Sequence, residues 1–273
     1  MKKMKFSNII YALLVTTLIS CNTEAPTSQN KVDSEALLSQ QLTMSVLWFQ
    51  QSAEMRQAYY QAYQYATMLV DNKIKSNTSE KKLAVVLDID ETVLDNSPSE
   101  TELIRTGKTF NAEGWDEWIA MEKAQALPGA KTFIEYTLSQ GVEVFYVSNR
   151  TVESLSSTIK NLSDLNFPNA DSTHVLLMQD TSDKTERRNK IAENYDIIVF
   201  VGDNLTDYSD IFSDRGEDMG KQLVDDKKEE LLANFVMLPN PMYGEWEKAI
   251  YKNNYKFSFE EKLQMKKEAL IGY

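Results

Sequence analysis

Residues 84–93 have the sequence AVVLDIDETV, an apolar run that ends in two aspartates one residue apart. The run is short, rich in β-branched side chains and apolar on both faces, which predicts a buried strand of a parallel sheet. Ligands bind at the carboxyl ends of such strands. Because side chains alternate in an extended chain, we expect Asp88 and Asp90 to point to the same side, into the crevice above the sheet. Two carboxylates this close hold a cation or a proton between them; a solvated acidic turn is the alternative.

A second pair of aspartates follows another continuous apolar strand, predicted over residues 196–201. Gly202 should permit a sharp turn, and Asp203 and Asp207, four residues apart, face the same crevice if the turn continues into a helix. Four carboxylates that converge on one crevice need a cation to offset their repulsion. A hard divalent cation with oxygen ligands, Mg²⁺ first, is therefore the expected cofactor.

Two polar segments lie between the aspartate pairs. A strand predicted over 142–147 leads into Ser148 and Asn149, whose hydroxyl and amide offer hydrogen bonds to a phosphate. Lys184 lies just before a helix predicted over 185–194. Its ammonium would add a positive charge to a site rich in carboxylates.

The ordered set D-I-D-E-T, S-N-R, D-K-T-E-R-R and G-D-N-L-T-D resembles the four motifs of the haloacid dehalogenase superfamily. With P-N-P-M-Y-G-E-W at 239–246, the pattern resembles the class C bacterial acid phosphatases of the lipoprotein e family, from about Leu37 to the C-terminus. This resemblance implies a phosphomonoesterase that works through an aspartyl-phosphate. It implies Asp88 as the nucleophile and Asp90 as the general acid and base, so an acidic pH optimum is natural.

The resemblance also implies the ligands of the metal and of the phosphate. The implied metal ligands are Asp88, the backbone carbonyl of Asp90 and Asp203, with Asp207 orienting waters. The implied phosphate-binding residues are Thr92, Ser148, Asn149 and Lys184.

Aromatic residues are the candidates for substrate recognition. Trp115 and Trp118 lie three apart on a predicted helix and share a face, where packing of a cap onto the core is at least as good an explanation as stacking on a base. Tyr243 lies in a Pro-rich loop after the last predicted strand, and the aromatic residue that the family has there resembles a nucleobase platform. The expected substrate is a small phosphomonoester, nucleoside 5'-monophosphates before sugar phosphates.

Strands alternate with helices from residue 82 onward, which predicts an α/β fold: a Rossmann-like, mostly parallel sheet flanked by helices, with a helical cap. The domain should span 35–273. Its other predicted parts are one or two helices over 35–75, a cap insert at about 96–128 with a helix over 111–126, strands over 174–178 and 234–238, a charged helix over 218–232, and one or two helices within 243–272.

The N-terminus resembles a bacterial secretory signal. Residues 1–5 are basic, and the apolar stretch 9–20 is too short for a permanent membrane span. The sequence L-I-S-C that ends at Cys21 resembles a lipobox, which predicts a signal peptide over 1–20, a lipidated Cys21 and a flexible tether over 21–34. We therefore expect a lipoprotein of the bacterial cell envelope, on the outer membrane, facing the periplasm or the cell surface.

Composition limits the partners. The net charge is -12, and removal of residues 1–20, with three lysines and no acids, makes it -15. A nucleic-acid polymer is therefore a poor partner, while Lys184, a metal and Arg150 or Arg187 could attract a small anion locally. One histidine, His174, cannot supply phosphohistidine, zinc or Ser-His-Asp chemistry, and we expect it to be structural. The oligomeric state is left open, with a homodimer among the options.

Two other functions compete with hydrolysis. A surface lipoprotein could bind a nucleotide, haem or a similar ligand for uptake, although such a protein has no need of the nucleophile and the acid together. A phosphomutase or phosphonate hydrolase on the same fold is disfavoured, because Asp90 and Thr92 match the phosphatase pattern.

Overall fold

The fold is built on a sheet of five parallel strands. The computed structural model describes residues 33–273, and its strands are β1 Lys82–Leu87, β2 Leu94–Asp95, β3 Gln125–Ala126, β4 Glu143–Thr151, β5 Val175–Met178, β6 Tyr195–Gly202 and β7 Phe235–Met237. The order β5-β4-β1-β6-β7 forms the parallel sheet, and β2 and β3 form a separate antiparallel pair. This arrangement confirms the predicted α/β fold. Strand β1 lies between β4 and β6, so the crevice at the carboxyl ends of these three strands is where a ligand is expected.

Helices surround the sheet. They are α1 Ser34–Gln40, α2 Thr43–Gln51, α3 Ala53–Ser76, α4 Ser97–Thr106, α5 Ala112–Ala120, α6 Ala130–Ser139, α7 Leu155–Asp164, α8 Thr185–Ala192, α9 Lys221–Asp226, α10 Lys228–Asn234, α11 Glu245–Ile250 and α12 Phe259–Glu268. Three short 3-10 helices are Val152–Ser154, Leu205–Asp207 and Asp210–Phe212. The five strands of the parallel sheet agree with the prediction to within a few residues, except that β4 continues through Ser148 and Asn149 to Thr151. The short pair of β2 and β3 was not predicted.

Several predicted helices are divided. The segment 35–75 forms three helices, with breaks at residues 41–42 and at Ser52. At the second break Ser52 adopts an extended backbone, and its hydroxyl accepts a hydrogen bond from the Met55 N–H at 3.0 Å, which caps the start of α3. The predicted charged helix over 218–232 is interrupted at Lys227. No glycine or proline marks any of these breaks, so composition alone did not reveal them.

The predicted cap insert contains two helices, of which only the second was expected. Helix α4 was missed. Helix α5 ends at Ala120, six residues before the predicted end, because Glu122 takes a left-handed conformation (φ 56°) and the chain then pairs as β3 with β2.

Two tyrosines of helix α3 form hydrogen bonds with the loop that follows β1. The hydroxyl of Tyr59 donates to the Glu91 carbonyl at 2.5 Å, and that of Tyr63 donates to the Thr92 carbonyl at 2.7 Å; both tyrosines are buried. Glu91 has a left-handed backbone (φ 54°), which costs a non-glycine residue roughly 1–2 kcal/mol. The two tyrosine hydrogen bonds offset this cost and fix the loop that carries Asp90.

The N-terminal predictions lie mostly outside the described residues. The signal peptide and Cys21 fall in 1–32, so lipid anchoring stays a prediction. Helix α1 begins at Ser34, inside the predicted tether, because the Asp33 carboxylate caps it by accepting from the Ala36 N–H at 3.1 Å. Within residues 33–273, no helix has the length and apolar character needed to cross a membrane.

The burial of Glu100, on helix α4 of the cap insert, can be tested through the pH dependence of stability. Burial, and then the nearby charge of Glu247, raises the pKa of Glu100 to about 7. A carboxyl with a raised folded-state pKa stabilises the fold at low pH, and this contribution is lost as pH rises through about 7. We expect Glu100→Gln to increase the free energy of unfolding at pH 8 by on the order of 2–3 kcal/mol and to change it little at pH 5. Glu102→Gln, an exposed position on the same helix, is the control; an equal effect of Glu100→Gln at both pH values would contradict the prediction.

Candidate active site

Three carboxylates converge at the carboxyl end of the sheet. Asp88 follows β1, while Asp203 and Asp207 follow β6, and one oxygen of each lies within 4.8 Å of the others. Asp88 and Asp207 are buried and Asp203 is partly buried. Carboxylate oxygens at this spacing fit a hard divalent cation. Three of the predicted metal-site residues, Asp88, Asp203 and Asp207, therefore lie close enough to share one cation.

Lys184 neutralises part of this cluster. Its buried ammonium contacts the Asp88 carboxylate directly and donates to Asp207 Oδ1 at 2.7 Å. Burial opposes its charge, but Asp207 and Asp88 outweigh burial, and the pKa of Lys184 is raised. Burial raises the pKa of Asp88 to about 7 against the effect of Lys184, with Asp207 and Asp90 adding to the rise. Burial, followed by Asp207 and Asp88, also raises the pKa of Asp203, so one lysine does not compensate three carboxylates.

Asp90 lies outside the carboxylate cluster, which corrects the expectation of four converging side chains. Its Oδ2 accepts from Ser148 Oγ at 2.9 Å, and its Oδ1 accepts from Arg150 Nε and Asn96 Nδ2, both at 2.9 Å. The alternation of an extended chain ends with β1 at Leu87, because a turn with Glu91 in the left-handed region follows. The Asp90 side chain is thereby directed to β4.

The Asp207 carboxylate occupies space that a side chain at position 202 would fill. A Cβ atom on Gly202 would lie 2.2 Å from Asp207 Oδ2. Gly202 belongs to β6 and is not among the residues with positive φ, so the predicted sharp turn is not what requires glycine here. Asp207 is further fixed by the Asn204 N–H, which donates to its Oδ2 at 2.9 Å.

Substitution of Gly202 should disturb the site strongly. We expect Gly202→Ala to displace the Asp207 carboxylate and lower kcat/KM by roughly 100-fold, since a shift of about 1 Å in a catalytic group costs that much. The measurement is steady-state hydrolysis of a phosphomonoester, with Gly272→Ala as the control, because open space surrounds that position and its φ is not positive. A near-wild-type Gly202→Ala enzyme would show that the contact with Asp207 is dispensable.

The predicted phosphate-binding residues divide into three groups. Ser148 and Lys184 are buried at the crevice, bonded to Asp90 and Asp88 respectively. Asn149 is exposed, and its Oδ1 accepts from Arg187 at 2.7 Å. Thr92 is fully buried, as Ser148 is, but its Oγ1 forms no hydrogen bond within residues 33–273.

The two arginines expected to attract an anion are already engaged. Arg187 donates to the Ser148 carbonyl at 2.6 Å and also to carbonyls of residues 181–183. Arg150 is fully buried and ion-paired with Asp90. Of the predicted local cations, Lys184 is the one at the carboxylate cluster.

The aromatic candidates lie in two places. Trp118 Nε1 donates to Asn96 Oδ1 at 2.8 Å, and the Trp115 ring lies 5.9 Å from the Arg150 guanidinium, so both tryptophans face the Asp90 network. Tyr243 is partly buried and packs against the main core. Its carbonyl accepts from Trp246 Nε1 at 3.0 Å.

Sequence reasoning missed the polar residues that orient the aspartates. Asn240 Nδ2 donates to Asp203 Oδ2 at 2.8 Å and so ties the loop of Tyr243 to the carboxylate cluster. Asn96 and Arg150 hold Asp90. Arg150, three residues after the apolar run 142–147, was a usable signal, because a charge so close to the end of a buried strand needs a partner.

His174 is structural, as expected. Its Nδ1 lies 2.8 Å from Asp171 Oδ1, and its ring packs 5.2 Å from that of Phe145, at the start of β5 and away from the carboxyl ends of the strands.

The parallel sheet, the carboxylate cluster and the lysine that contacts two of its members define the phosphoryl-transfer class of the haloacid dehalogenase (HAD) superfamily. A sequence model of HAD superfamily, subfamily IIIB (acid phosphatase) matches residues 8–246. The chain belongs to this family.

Solved structures and curated relatives agree with this assignment. The structure is similar to the class C acid phosphatase from Bacillus anthracis, with 40% identity and a TM-score of 0.82, over 86% of this chain and 99% of that one. A tungstate-bound structure of that phosphatase gives 39% identity and the same TM-score. Two plant proteins are more distant: a stem 31 kDa glycoprotein of Glycine max at 28% identity and acid phosphatase 1 of Solanum lycopersicum at 27%. The matches span 58% of this chain and 58% and 57% of those relatives. The predicted family and phosphomonoesterase class are confirmed.

Proposed function

We propose that this protein is a Mg²⁺-dependent acid phosphatase that hydrolyses nucleoside 5'-monophosphates through an aspartyl-phosphate on Asp88. The observation that carries the proposal is the contact of the buried Asp88 carboxylate with Lys184, within a cluster of three carboxylates. The tungstate bound to the Bacillus anthracis relative supports phosphate binding here, since tungstate is, like phosphate, a tetrahedral oxyanion.

The first chemical step forms the covalent intermediate. An oxygen of Asp88 attacks phosphorus, the phosphorus–oxygen bond to the leaving group breaks, and Asp90 donates a proton to the departing oxygen, which leaves as an alcohol. Lys184 and Ser148 lie where they can hold the phosphoryl oxygens. A divalent cation bound by Asp88, Asp203 and Asp207 would supply positive charge that stabilises those oxygens.

The second step releases phosphate. A water gives a proton to the now ionised Asp90 and attacks phosphorus. The bond from phosphorus to the Asp88 oxygen then breaks. This restores the Asp88 carboxylate and releases inorganic phosphate. Asp90 therefore acts as acid and then as base.

Tyr243 provides the test of the substrate. If its ring stacks on the base, Tyr243→Ala should reduce transition-state binding of a nucleotide by about 1–3 kcal/mol, and that of a small aliphatic phosphate far less. The measurement is kcat/KM for both substrates on the wild type and the variant. Equal losses would show that Tyr243 shapes the site and reads no base. Nucleotide binding without any turnover would instead favour the alternative of a ligand-binding lipoprotein.

We also propose that Cys21 carries the lipid that holds the enzyme on the bacterial envelope, on the outer membrane. The basic start, the short apolar stretch and the L-I-S-C sequence support this proposal. An enzyme outside the cytoplasm meets nucleotides that do not cross the inner membrane, and their dephosphorylation yields nucleosides for transport. Cys21→Ser should release the protein from the membrane fraction; retention of this variant there would argue against the lipid.

A further inference from the structure

Arg150 is the largest fully buried side chain among the described residues, and most of its hydrogen bonds go to Asp90 and Asn96. Nε donates to Asp90 Oδ1 at 2.9 Å, and NH2 forms an ion pair with the same oxygen at 2.9 Å. NH1 donates to Thr158 at 3.3 Å and NH2 to Asn96 Oδ1 at 3.2 Å. Ser148 and Arg150 are two apart on β4, so both reach the same side of the strand. Four of the five guanidinium N–H donors thus have a partner, and the side chain is fully buried, so Arg150 serves Asp90 and the residues around it rather than a phosphate.

The same network extends into the cap. Asn96 Nδ2 donates to Asp90 Oδ1 at 2.9 Å, and Asn96 Oδ1 accepts from Trp118 Nε1 at 2.8 Å. The Trp115 ring lies over the Arg150 guanidinium at 5.9 Å. Both tryptophans belong to α5. Two chains of contacts therefore join α5 to Asp90, one from Trp118 through Asn96 and the other from Trp115 through Arg150. A movement of α5 would displace Asp90 through either intermediate side chain.

The two oxygens of Asp90 are not equivalent. Oδ1 accepts hydrogen bonds from Arg150 and Asn96, which together use its acceptor capacity. Within residues 33–273, Oδ2 accepts a hydrogen bond only from Ser148. A carboxylate oxygen accepts about two hydrogen bonds. Oδ2 therefore retains a lone pair for a proton, while Arg150 fixes the rotation of the carboxyl group.

We propose that Arg150 is a positioning residue that presents Asp90 Oδ2 for proton transfer, and that the Trp118–Asn96 hydrogen bond transmits the position of the cap helix α5 to this acid. The inference rests on the acid–base role of Asp90 in the proposed function. In the step concerned, the proton on Oδ2 passes to the ester oxygen as its bond to phosphorus breaks, and the Asp90 carboxylate that remains keeps its ion pair with Arg150.

The dependence of rate on the leaving group tests this proposal. A nucleoside 5'-monophosphate expels an alkoxide that needs the proton, whereas p-nitrophenyl phosphate expels a stable phenolate. We expect Arg150→Met and Asp90→Asn each to lower kcat/KM for the nucleotide by roughly 100-fold or more, and for p-nitrophenyl phosphate by far less, as for loss of a general acid. The double variant should be no slower than Asp90→Asn alone, because both changes remove the same function.

Trp118→Phe keeps the ring and removes only the N–H donor, so it tests the route from the cap without removing a buried charge. It should show the same preference for p-nitrophenyl phosphate, with a smaller loss of about 10-fold for the nucleotide. Trp48→Phe, in α2 and outside this network, is the matched control. This variant also decides the question if Arg150→Met does not fold.

The outcomes separate the two proposals. If Asp90→Asn lowers kcat/KM, which reports formation of the phosphoenzyme, equally for both substrates, the acid role of Asp90 fails, and the positioning role falls with it. If Asp90→Asn discriminates between the substrates in kcat/KM but folded Arg150→Met and Trp118→Phe lower kcat/KM equally for both, the proposed function stands and the positioning role is overturned.

Discussion

Asp88→Asn is expected to abolish phosphate release while the protein remains folded. The carboxamide has nearly the shape of the carboxylate but cannot form the acyl-phosphate, and loss of a covalent nucleophile lowers kcat by roughly four to six orders of magnitude. The fold should survive because Lys184 keeps its 2.7 Å contact with Asp207. The measurements are phosphate release from a chromogenic phosphomonoester and thermal unfolding.

Asp225→Asn, an exposed position on α9, is the control for the same chemical change on the surface. It should retain full activity. Substantial turnover by a folded Asp88→Asn enzyme would contradict the covalent mechanism, because the amide offers no comparable nucleophile.

Removal of divalent cations is expected to have the second largest effect. Three carboxylates share one lysine at the cluster, and the raised pKa values of Asp88 and Asp203 show that the protein alone does not favour their full ionisation. We expect a chelator to eliminate activity and added Mg²⁺ to restore it. Asp203→Asn should raise the Mg²⁺ concentration required by roughly 10- to 100-fold or more, since even indirect partners of a metal contribute that much.

The binding of Mg²⁺ can be measured separately from catalysis. Mg²⁺ should raise the melting temperature of the wild type, because a ligand that binds only the native state stabilises it, and should raise that of Asp203→Asn less. Without metal, Asp203→Asn should be as stable as the wild type or more stable by roughly 1 kcal/mol or less, since it relieves repulsion. Full activity in excess chelator would contradict the metal site.

The strands and the residues at their carboxyl ends were predictable from sequence. Apolar runs mark β1, β4 and β6, and the alternation of strands with helices indicates that these strands are parallel. Parallel strands bring their carboxyl ends to one edge of the sheet, so Asp88 and Ser148 were placed correctly at the crevice. The family resemblance supplied the roles that spacing left open. These features depend on local patterns and on the general geometry of α/β folds.

The departures from prediction arise from specific side-chain contacts that apolar patterns and composition do not encode. Asp90 turns to β4 because Arg150 and Asn96 bind it, and no local pattern near Asp90 encodes those partners. Gly202 is required by the approach of Asp207, which becomes visible only when both positions have coordinates. The break at Ser52 depends on a side-chain cap in a segment whose composition favours a continuous helix.

The most direct measurement is the trapping of the phosphoenzyme. Asp90→Asn with p-nitrophenyl phosphate should complete the first step and stall in the second, because the leaving group needs no acid while the water lacks its base. Rapid acid quench followed by peptide mass spectrometry should then find one phosphoryl group, on the peptide that contains Asp88. A phosphoryl group on a different residue, or steady turnover with no phosphoenzyme at any time, would contradict covalent catalysis by Asp88.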